Sequence, residues 1–224
     1  MNKYNPTAIE KNGNVIITGV EHFGLSETFD CGQAFRWEPF DETSWVGIAL
    51  GRKLRVGHND GTITLYDCSL SEYEEKWRKY LDIDRDYGKI IDTISNDTIL
   101  KSAAAQNKGI RILKQDTWEA LCSFIISQNN NIPRIKGIIS RLCENFGQPL
   151  KNGGFNFPTA EKIASLTVAD LSPIRAGFRA RYIIDGAKKY INGDIDLELI
   201  ATADTDTARA ELMKITGVGV KVAD

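Results

Sequence analysis

The sequence predicts an α+β protein, with an N-terminal antiparallel β-sheet domain and backing helices over residues 1–112 and an all-α domain over residues 113–224. Two observations support this prediction. Short runs rich in Val, Ile, Thr and aromatic residues, separated by glycine-containing turns, dominate the first part and are typical of strands. From Ser69 onward the apolar residues recur at helical spacing.

The overall composition indicates a globular protein outside the membrane. Of the 224 residues, 42% are hydrophobic and 26% are charged, which is enough apolar material to bury a core. No apolar run approaches the roughly 18 residues of a membrane helix, and the N-terminus does not resemble a secretory signal. We therefore expect a cytoplasmic protein without a membrane partner.

The charge of the chain is unevenly distributed. The net charge is −2, yet residues 101–189 hold 14 Lys and Arg against 6 Asp and Glu, and both flanking stretches are acidic. Clustered basic side chains are what phosphate contacts require. Charge alone equally suits an ordinary solvated helical surface, so it leaves a nucleic-acid partner open.

The four cysteines are scattered, and none has a Cys or His partner at zinc-like spacing. They are Cys31, Cys68, Cys122 and Cys143. We expect reduced core thiols, with no metal site and no cofactor.

Four strands are expected in the first domain, with backing helices after them. The strands are Asn14–Thr18, Ser44–Leu50, Leu54–Gly57 and Thr62–Asp67, separated in the later pairs by Gly51–Lys53 and His58–Gly61. The helices are Ser71–Leu81, Tyr87–Ile94 and Asp97–Gln106. Gly32, which precedes a run of aromatic and basic residues between the first two strands, lets the backbone come close to another group.

The second domain begins with a helix whose start is marked by Asp116 and Glu119, an acidic variant of the capping box. That helix is apolar almost all round as far as Ile126, so it is expected at the centre of the domain. The helices expected after it are Pro133–Phe146, Glu161–Leu166, Val168–Ile174, Arg179–Tyr190 and Thr207–Ile215.

Two loops of this domain have a composition that suits contact with a nucleic acid. Ser127–Asn131 contains three successive asparagines, which suit either a capped turn or the edge of a nucleobase. In Gly177–Tyr182, Phe178 stands beside Arg179. A phenylalanine is commonly a core residue, whereas an exposed one beside arginines can act as a wedge that enters a base stack.

The last stretch, Leu212–Asp224, predicts a hairpin between two helices. Gly217 and Gly219 supply a tight turn, a second helix begins near Val220, and Lys221 lies one residue into it. The same pattern also fits a simple helix cap. The chain has no stop signal after this helix begins, so we expect it to be a fragment that ends inside an element.

Four strings in this order resemble the 8-oxoguanine DNA glycosylase/lyase family of helix-hairpin-helix DNA glycosylases. They are Gly32-Gln33-Ala34-Phe35-Arg36-Trp37, Ser127-Gln128-Asn129-Asn130-Asn131-Ile132-Pro133-Arg134, Gly177-Phe178-Arg179-Ala180-Arg181-Tyr182 and Gly217-Val218-Gly219-Val220-Lys221-Val222-Ala223-Asp224. The resemblance covers the chain from about residue 15 to its end. It implies a monomeric enzyme, nucleoid-associated in a bacterium, that acts on double-stranded DNA containing oxidised guanine.

The resemblance also implies residue roles. Lys221 matches the nucleophile that attacks the sugar C1′ and supports AP lyase strand cleavage, and Gly217 and Gly219 match the hairpin glycines. Gly32 matches the glycine whose carbonyl senses the N7 proton of 8-oxoguanine. Phe178 matches the family's wedge, a position where the family more often has tyrosine. Asn129 matches the asparagine that fills the space left by the extruded base. Arg134 and Arg179 match the arginines that hold the orphaned cytosine.

The family's catalytic aspartate follows the lysine beyond residue 224, so we expect this chain to bind DNA weakly and to show little or no excision. Two alternatives remain open. The first is a non-catalytic helix-hairpin-helix DNA-binding protein of the same fold. The second, a glycosylase for alkylated bases, is disfavoured because that lineage generally lacks a lysine at the position of Lys221.

Overall fold

The computed structural model describes residues 4–223, and the chain divides between Gln115 and Asp116 into two compact units. The first contains a six-stranded sheet and the second is helical, so the predicted α+β class is confirmed. The sequence alone had suggested a boundary between residues 112 and 113. Among the described residues no helix has the length and apolar character needed to cross a membrane.

The sheet is antiparallel throughout, with strand order β1-β2-β6-β5-β4-β3. Its strands are β1 (Thr7–Lys11), β2 (Asn14–Thr18), β3 (Trp37–Asp41), β4 (Ser44–Ala49), β5 (Arg52–Asn59) and β6 (Thr62–Tyr66). The four predicted strands are confirmed with small shifts of their ends. The strands β1 and β3 were not predicted, and both lie at the edges of the sheet, where most side chains are exposed and the alternation of burial is weak. Pro39 inside β3 further weakens the strand signal.

Three two-residue turns connect neighbouring strands with positive φ at both positions, as type I′ hairpins require. They are Asn12-Gly13, Leu50-Gly51 and Asp60-Gly61. The Asp60-Gly61 turn lies within the expected loop His58–Gly61. The expected loop Gly51–Lys53 was too long, because Arg52 already begins β5 and the turn uses Leu50 at a φ of 50°. Leucine rarely adopts that conformation, so the sequence carried little signal for it.

The core of the first unit is aromatic and joins the sheet to helices. Phe29 stacks on Trp37 with ring centroids 4.1 Å apart, and Trp37 Nε1 donates to the Tyr80 hydroxyl at 2.9 Å. The helices of this unit are α1 (Leu25–Phe29), α2 (Leu70–Glu72), α3 (Arg78–Tyr80), α4 (Tyr87–Ile94) and α5 (Thr98–Gln106), with a π-helical turn, Tyr73–Trp77, between α2 and α3. The short helix α1 was missed by the sequence analysis.

The second unit is built around α6, as its all-round apolar sequence predicted. Its helices are α6 (Thr117–Ser127), α7 (Ile132–Phe146), α8 (Ala160–Ala164), α9 (Arg179–Ile191), α10 (Leu197–Thr202), α11 (Thr205–Leu212) and α12 (Val220–Ala223). Asp116 caps α6 by accepting from the Glu119 amide at 2.8 Å. The expected helix Val168–Ile174 was wrong, since only a 3-10 turn, Ser172–Ile174, forms there, and α10 was missed.

Candidate functional site

The three asparagines after α6 make different contacts. Asn130 Nδ2 donates to the Ile126 carbonyl at 3.0 Å and closes the end of α6, and Asn131 Oδ1 accepts from the Arg134 amide at 3.0 Å and caps α7. Asn129 adopts a φ of 45° and is exposed. Its side chain forms no hydrogen bond within residues 4–223, so it projects from the turn with its amide unused.

Arg179, the first residue of α9, is 3% exposed and connects two loops. Its Nε donates to the Gln128 carbonyl at 2.9 Å, its NH2 group donates to the same oxygen and to the Asn129 carbonyl at 2.9 Å, and its NH1 group donates to the Ala176 carbonyl at 3.2 Å. One guanidinium therefore holds the asparagine turn and the loop before α9 together. Four of its five N–H donors are used in this way.

Phe178 lies on top of this arginine and is 48% exposed. The Arg179 guanidinium carbon is 4.5 Å from the centroid of the Phe178 ring, and the ring meets Tyr182 edge-on at 5.7 Å. Of the two alternatives that the sequence left open for Phe178, a core residue and an exposed side chain, the structure shows the exposed one. A cation beneath the ring face adds an attraction of about 0.5–2 kcal/mol, which helps to hold the ring in place.

Two further arginines flank this arrangement. Arg134, near the start of α7, is exposed, and its guanidinium forms no hydrogen bond among the described residues. Arg141 donates through Nε and NH2 to the Ile174 carbonyl at 3.1 and 3.0 Å and so anchors the start of the loop that leads to Phe178. Burial lowers the pKa of Arg179, and the nearby charge of Arg134 adds to the lowering, although a guanidinium stays protonated in proteins.

The predicted hairpin is present between α11 and α12. Gly217 has a φ of 84°, and a Cβ there would lie 2.4 Å from the Tyr182 ring, so both the conformation and the packing require glycine. Gly219 differs, because its φ is outside the left-handed region and a Cβ would meet nothing within 4 Å. The expectation that both glycines supply the tight turn was therefore wrong for Gly219. Lys221, the second residue of α12, is exposed.

The hairpin packs on one face of α9. The Asp185 carboxylate accepts from the Thr216 amide at 2.7 Å and pairs with Lys189 Nζ at 2.9 Å, and Lys189 Nζ also donates to the Lys214 carbonyl at 2.6 Å. These contacts and the Tyr182 ring place the hairpin against α9, the helix whose first turn carries Arg179. Sequence analysis did not single out Tyr182, Asp185 or Lys189.

Gly32 lies in the first unit, in a loop held by Gln33. Gly32 has a φ of 88° and open space where a Cβ would be, so its conformation, rather than crowding, favours glycine. Gln33 Nε2 donates to the carbonyls of Thr28 and Arg111, both at 2.8 Å, and its Oε1 accepts from the Leu113 amide at 3.0 Å. Gln33 thus joins the Gly32 loop to Thr28, which precedes it, and to the backbone of Arg111 and Leu113 in the same unit.

The cysteines were predicted to be reduced core thiols, and this holds for three of them. Cys68, Cys122 and Cys143 are buried and unbridged. Burial raises the pKa of Cys68 to about 11, so this thiol is unreactive at neutral pH. The expectation was wrong for Cys31, which is exposed in the Gly32 loop.

Two family models match consecutive parts of the chain. Residues 15–121 match the 8-oxoguanine DNA glycosylase N-terminal domain, and residues 122–221 match the HhH-GPD superfamily of base excision DNA repair proteins. The chain is 30% identical over 230 residues to the N-glycosylase/DNA lyase of Saccharomyces cerevisiae, covering 89% of this chain and 61% of that protein. It is 29% identical over 153 residues to the DNA-3-methyladenine glycosylase of Bacillus subtilis, covering 66% and 50%. The chain thus spans less than two thirds of the length of these curated relatives.

A solved structure decides the family. The 8-oxoguanine glycosylase/lyase of Clostridium acetobutylicum, in complex with double-stranded DNA containing cytosine opposite 8-oxoguanine, matches with a TM-score of 0.93 and 39% identity over 97% of this chain and 76% of that one. The chain belongs to the 8-oxoguanine DNA glycosylase family. This family lies within the HhH-GPD superfamily, as the resemblance of the four strings implied.

In this member of the 8-oxoguanine DNA glycosylase family, all the predicted site residues except Gly32 belong to the second unit. Arg179 joins Asn129 and Phe178 directly, and Tyr182 connects Phe178 to the hairpin that carries Lys221. The roles of individual residues stay predictions. The helical spacing of Asp185 and Lys189, four residues apart with opposite charge, was a signal that could have identified them as a pair.

Proposed function

We propose that the full-length protein is a DNA N-glycosylase/AP lyase that removes 8-oxoguanine from duplex DNA by base flipping and lysine attack. One observation supports it most strongly. Asn129 and Phe178, both exposed, are presented by the same buried guanidinium, in a unit that also carries the Lys221 hairpin. An unpartnered amide and an exposed aromatic ring on rigid supports are what a protein needs to open a base stack and occupy the gap.

The wedge step uses the exposed face of Phe178. The ring enters the stack beside the damaged base pair while Asn129 fills the space that the extruded base leaves. Arg134 and Arg179 then hold the orphaned cytosine. Arg134 has its whole guanidinium available, whereas Arg179 keeps a single N–H that is not used within the protein. We therefore assign the larger share of cytosine contact to Arg134.

The chemical step uses Lys221. Once its amine has lost a proton, the nitrogen forms a bond to C1′ as the glycosidic bond breaks and its electron pair leaves with the base. The nitrogen of this adduct loses a proton and the C1′–O4′ bond breaks as O4′ takes one up, which opens the sugar ring to a Schiff base. The Schiff base makes a C2′ proton acidic, and loss of that proton allows β-elimination, which expels the 3′ phosphate. One lysine in this way gives base excision and strand cleavage.

Recognition of the oxidised base is assigned to the Gly32 carbonyl. The oxidised base carries a proton on N7 that guanine lacks, so a carbonyl aimed at N7 gains a hydrogen bond only from the damaged base. A carbonyl left unpaired by guanine costs about 1–3 kcal/mol. The Gln33 hydrogen bonds support this role, since they hold the loop in one shape before any base arrives.

The protein acts on double-stranded DNA containing oxidised guanine as a monomer, in the cytoplasm and at the nucleoid if the source is bacterial. The excess of basic residues in the stretch 101–189 provides the phosphate attraction that such a partner needs.

Borohydride trapping tests the proposal. The full-length protein should become covalently linked to duplex DNA containing 8-oxoguanine, because the Schiff base is reduced to a stable amine. Lys221→Gln should abolish trapping and leave DNA binding largely intact. The matched control is Lys151→Gln, an exposed lysine in the loop after α7, which should trap as well as the wild type.

Two outcomes would overturn the assignment. Undiminished trapping in Lys221→Gln would show that another amine attacks. DNA binding without any trapping by the wild type would identify a non-catalytic DNA-binding protein of this fold. Duplexes containing 3-methyladenine form a parallel arm of the assay, and excision there but not at 8-oxoguanine would assign the protein to alkylated bases.

A further inference from the structure

An ion pair on α9 forms hydrogen bonds with the backbone of the hairpin that precedes α12. Asp185 Oδ2 accepts from the Thr216 amide at 2.7 Å and from Lys189 Nζ at 2.9 Å, and Lys189 Nζ donates to the Lys214 carbonyl at 2.6 Å. We call Asp185 and Lys189 together the α9 clamp. It binds one amide and one carbonyl of the hairpin backbone on either side of Ile215, which is 1% exposed.

The clamp forms part of a continuous stripe along α9. The stripe consists of Tyr182, Asp185, Gly186 and Lys189, whose spacing of three, four and seven residues places them on one face of the helix. Tyr182 covers Gly217, and Gly186 faces Ile215. The backbone from Lys214 to Gly217 therefore lies along α9, with polar contacts and packing alternating.

Apart from the bond that Lys214 Nζ donates to the Asp194 carbonyl at 3.2 Å, the other hydrogen bonds of the hairpin are internal to it. The Val218 amide donates to the Ile215 carbonyl at 3.0 Å, and the Val222 and Ala223 amides donate to the Gly219 carbonyl at 3.0 Å. Such bonds fix the shape of the turn but not its orientation. The orientation of α12, and hence of Lys221, depends on what joins the hairpin to α9.

We propose that Asp185 and Lys189 are positioning residues that hold the Lys221 hairpin in the orientation required for attack on the sugar. This inference rests on the proposed function. Asp185 also occupies the Thr216 amide, so this amide is not available to an anion that approaches the hairpin. Burial alone would raise the pKa of Asp185, but the hydrogen bonds from Lys189 and Thr216 outweigh it and hold the pKa below its usual range. The carboxylate form that binds the hairpin is thus fully populated at neutral pH and is lost only as the pH falls through this lowered value.

Three variants separate the parts of the clamp. Asp185→Ala removes the acceptor for both the Thr216 amide and Lys189, Asp185→Asn keeps an oxygen for the amide but loses the charge, and Lys189→Met frees the Lys214 carbonyl. The matched control is Asp206→Ala, which removes a carboxylate paired with Arg209 at 2.6 Å on the neighbouring helix α11, where the Asp206 side chain is 91% exposed.

The measurement is the single-turnover rate of borohydride trapping at saturating 8-oxoguanine DNA, in the full-length protein and well below its melting temperature. Misplacement of a reacting group by about 1 Å can cost on the order of a hundredfold in rate, so Asp185→Ala should trap about ten- to a hundredfold more slowly. Asp185→Asn should recover to within about threefold of wild type because the amide contact survives. Lys189→Met should fall between the two, and Asp206→Ala should match the wild type.

Hydrogen exchange of the hairpin amides is the second readout, and it does not depend on activity. The Thr216 amide should exchange faster in Asp185→Ala than in wild type or Asp206→Ala. Wild-type trapping rates in Asp185→Ala would overturn the positioning role while leaving the proposed function intact. If the wild type does not trap, the proposed function fails. In that case, an exchange rate of the Thr216 amide that is the same in Asp185→Ala as in the wild type would separately overturn the clamp. If Asp185→Ala does not fold, Asp185→Asn and Lys189→Met give the same two readouts.

Discussion

Arg111 in the first unit and Arg179 in the second are both buried, at 0% and 3% exposure, and each has an aromatic ring over its guanidinium. Neither forms an ion pair within residues 4–223, and both donate mainly to backbone carbonyls. The partners of Arg111 are the Arg85 carbonyl, at 3.0 Å from its NH2 group, and the Tyr4 hydroxyl at 2.8 Å, beneath the ring of Tyr87. These partners belong to the framework of the first unit.

Arg179 differs in what its partners do. Its acceptors are carbonyls of the two loops that present Asn129 and Phe178, and the ring that covers it is the half-exposed Phe178 itself. Burying a guanidinium is costly unless carbonyls satisfy its donors. This chain therefore uses the same costly arrangement once within the framework of a unit and once beneath the exposed side chains that we propose bind DNA. The variants below test whether the two roles are separate.

The largest expected effect on stability is that of Arg111→Met. This change leaves the Arg85 carbonyl and the Tyr4 hydroxyl without a donor and removes the contact with Tyr87, which together should lower the free energy of unfolding by about 2–5 kcal/mol. Denaturant unfolding followed by the fluorescence of the tryptophans gives the value. Arg85→Met removes an exposed guanidinium paired with Asp82 and should cost less than about 1 kcal/mol. Equal losses in the two variants would remove the distinction between the buried and exposed arginines.

Arg179→Met should affect excision more than stability. The asparagine turn and the Phe178 loop lose their common anchor, so the single-turnover excision rate should fall by about ten- to a hundredfold. At the same temperature Arg111→Met, once folded, should keep the wild-type rate. If Arg111→Met lost excision as strongly as Arg179→Met while remaining folded, the separation of the two roles would be wrong.

A smaller effect is expected for the base opposite the lesion. Arg134→Ala removes a guanidinium free to contact cytosine and should reduce the preference for cytosine by about 1–3 kcal/mol. Arg179→Ala should also weaken this preference, but by less, because most of its donors are used inside the protein. The cytosine preference of each variant is measured from excision rates on duplexes that carry each of the four bases opposite 8-oxoguanine.

Lys188→Ala is the control for that experiment. Lys188 is exposed on α9, so its loss should lower affinity about equally for all four duplexes and reduce the salt dependence of binding by about one phosphate contact. An unchanged cytosine preference in both arginine variants would identify Arg134 and Arg179 as phosphate contacts or structural residues.

The sequence alone determined the fold class, the four inner strands, most helices and the family. These features rest on local signals that are repeated along the chain. Strands with one buried face alternate, helices with a buried stripe repeat at 3.6 residues, glycine-containing loops separate the strands, and Asp116 marks a helix start. Where burial is slight, as in the edge strands Thr7–Lys11 and Trp37–Asp41, the local signal is weak and prediction fails.

The tertiary structure alone decided which side chains face a partner and which hold the protein together. The sequence placed Arg134 and Arg179 in the same role, yet one is exposed and the other is bonded to three carbonyl oxygens. It grouped three asparagines, of which two close helix ends and one projects. It treated Gly217 and Gly219 alike, whereas the Tyr182 ring requires a glycine only at position 217. For Arg179 and Gly217 the deciding contacts join residues that are far apart in the chain, where no local pattern of residue types can specify them. The asparagine contacts are local, but three identical neighbours give no signal of which one projects.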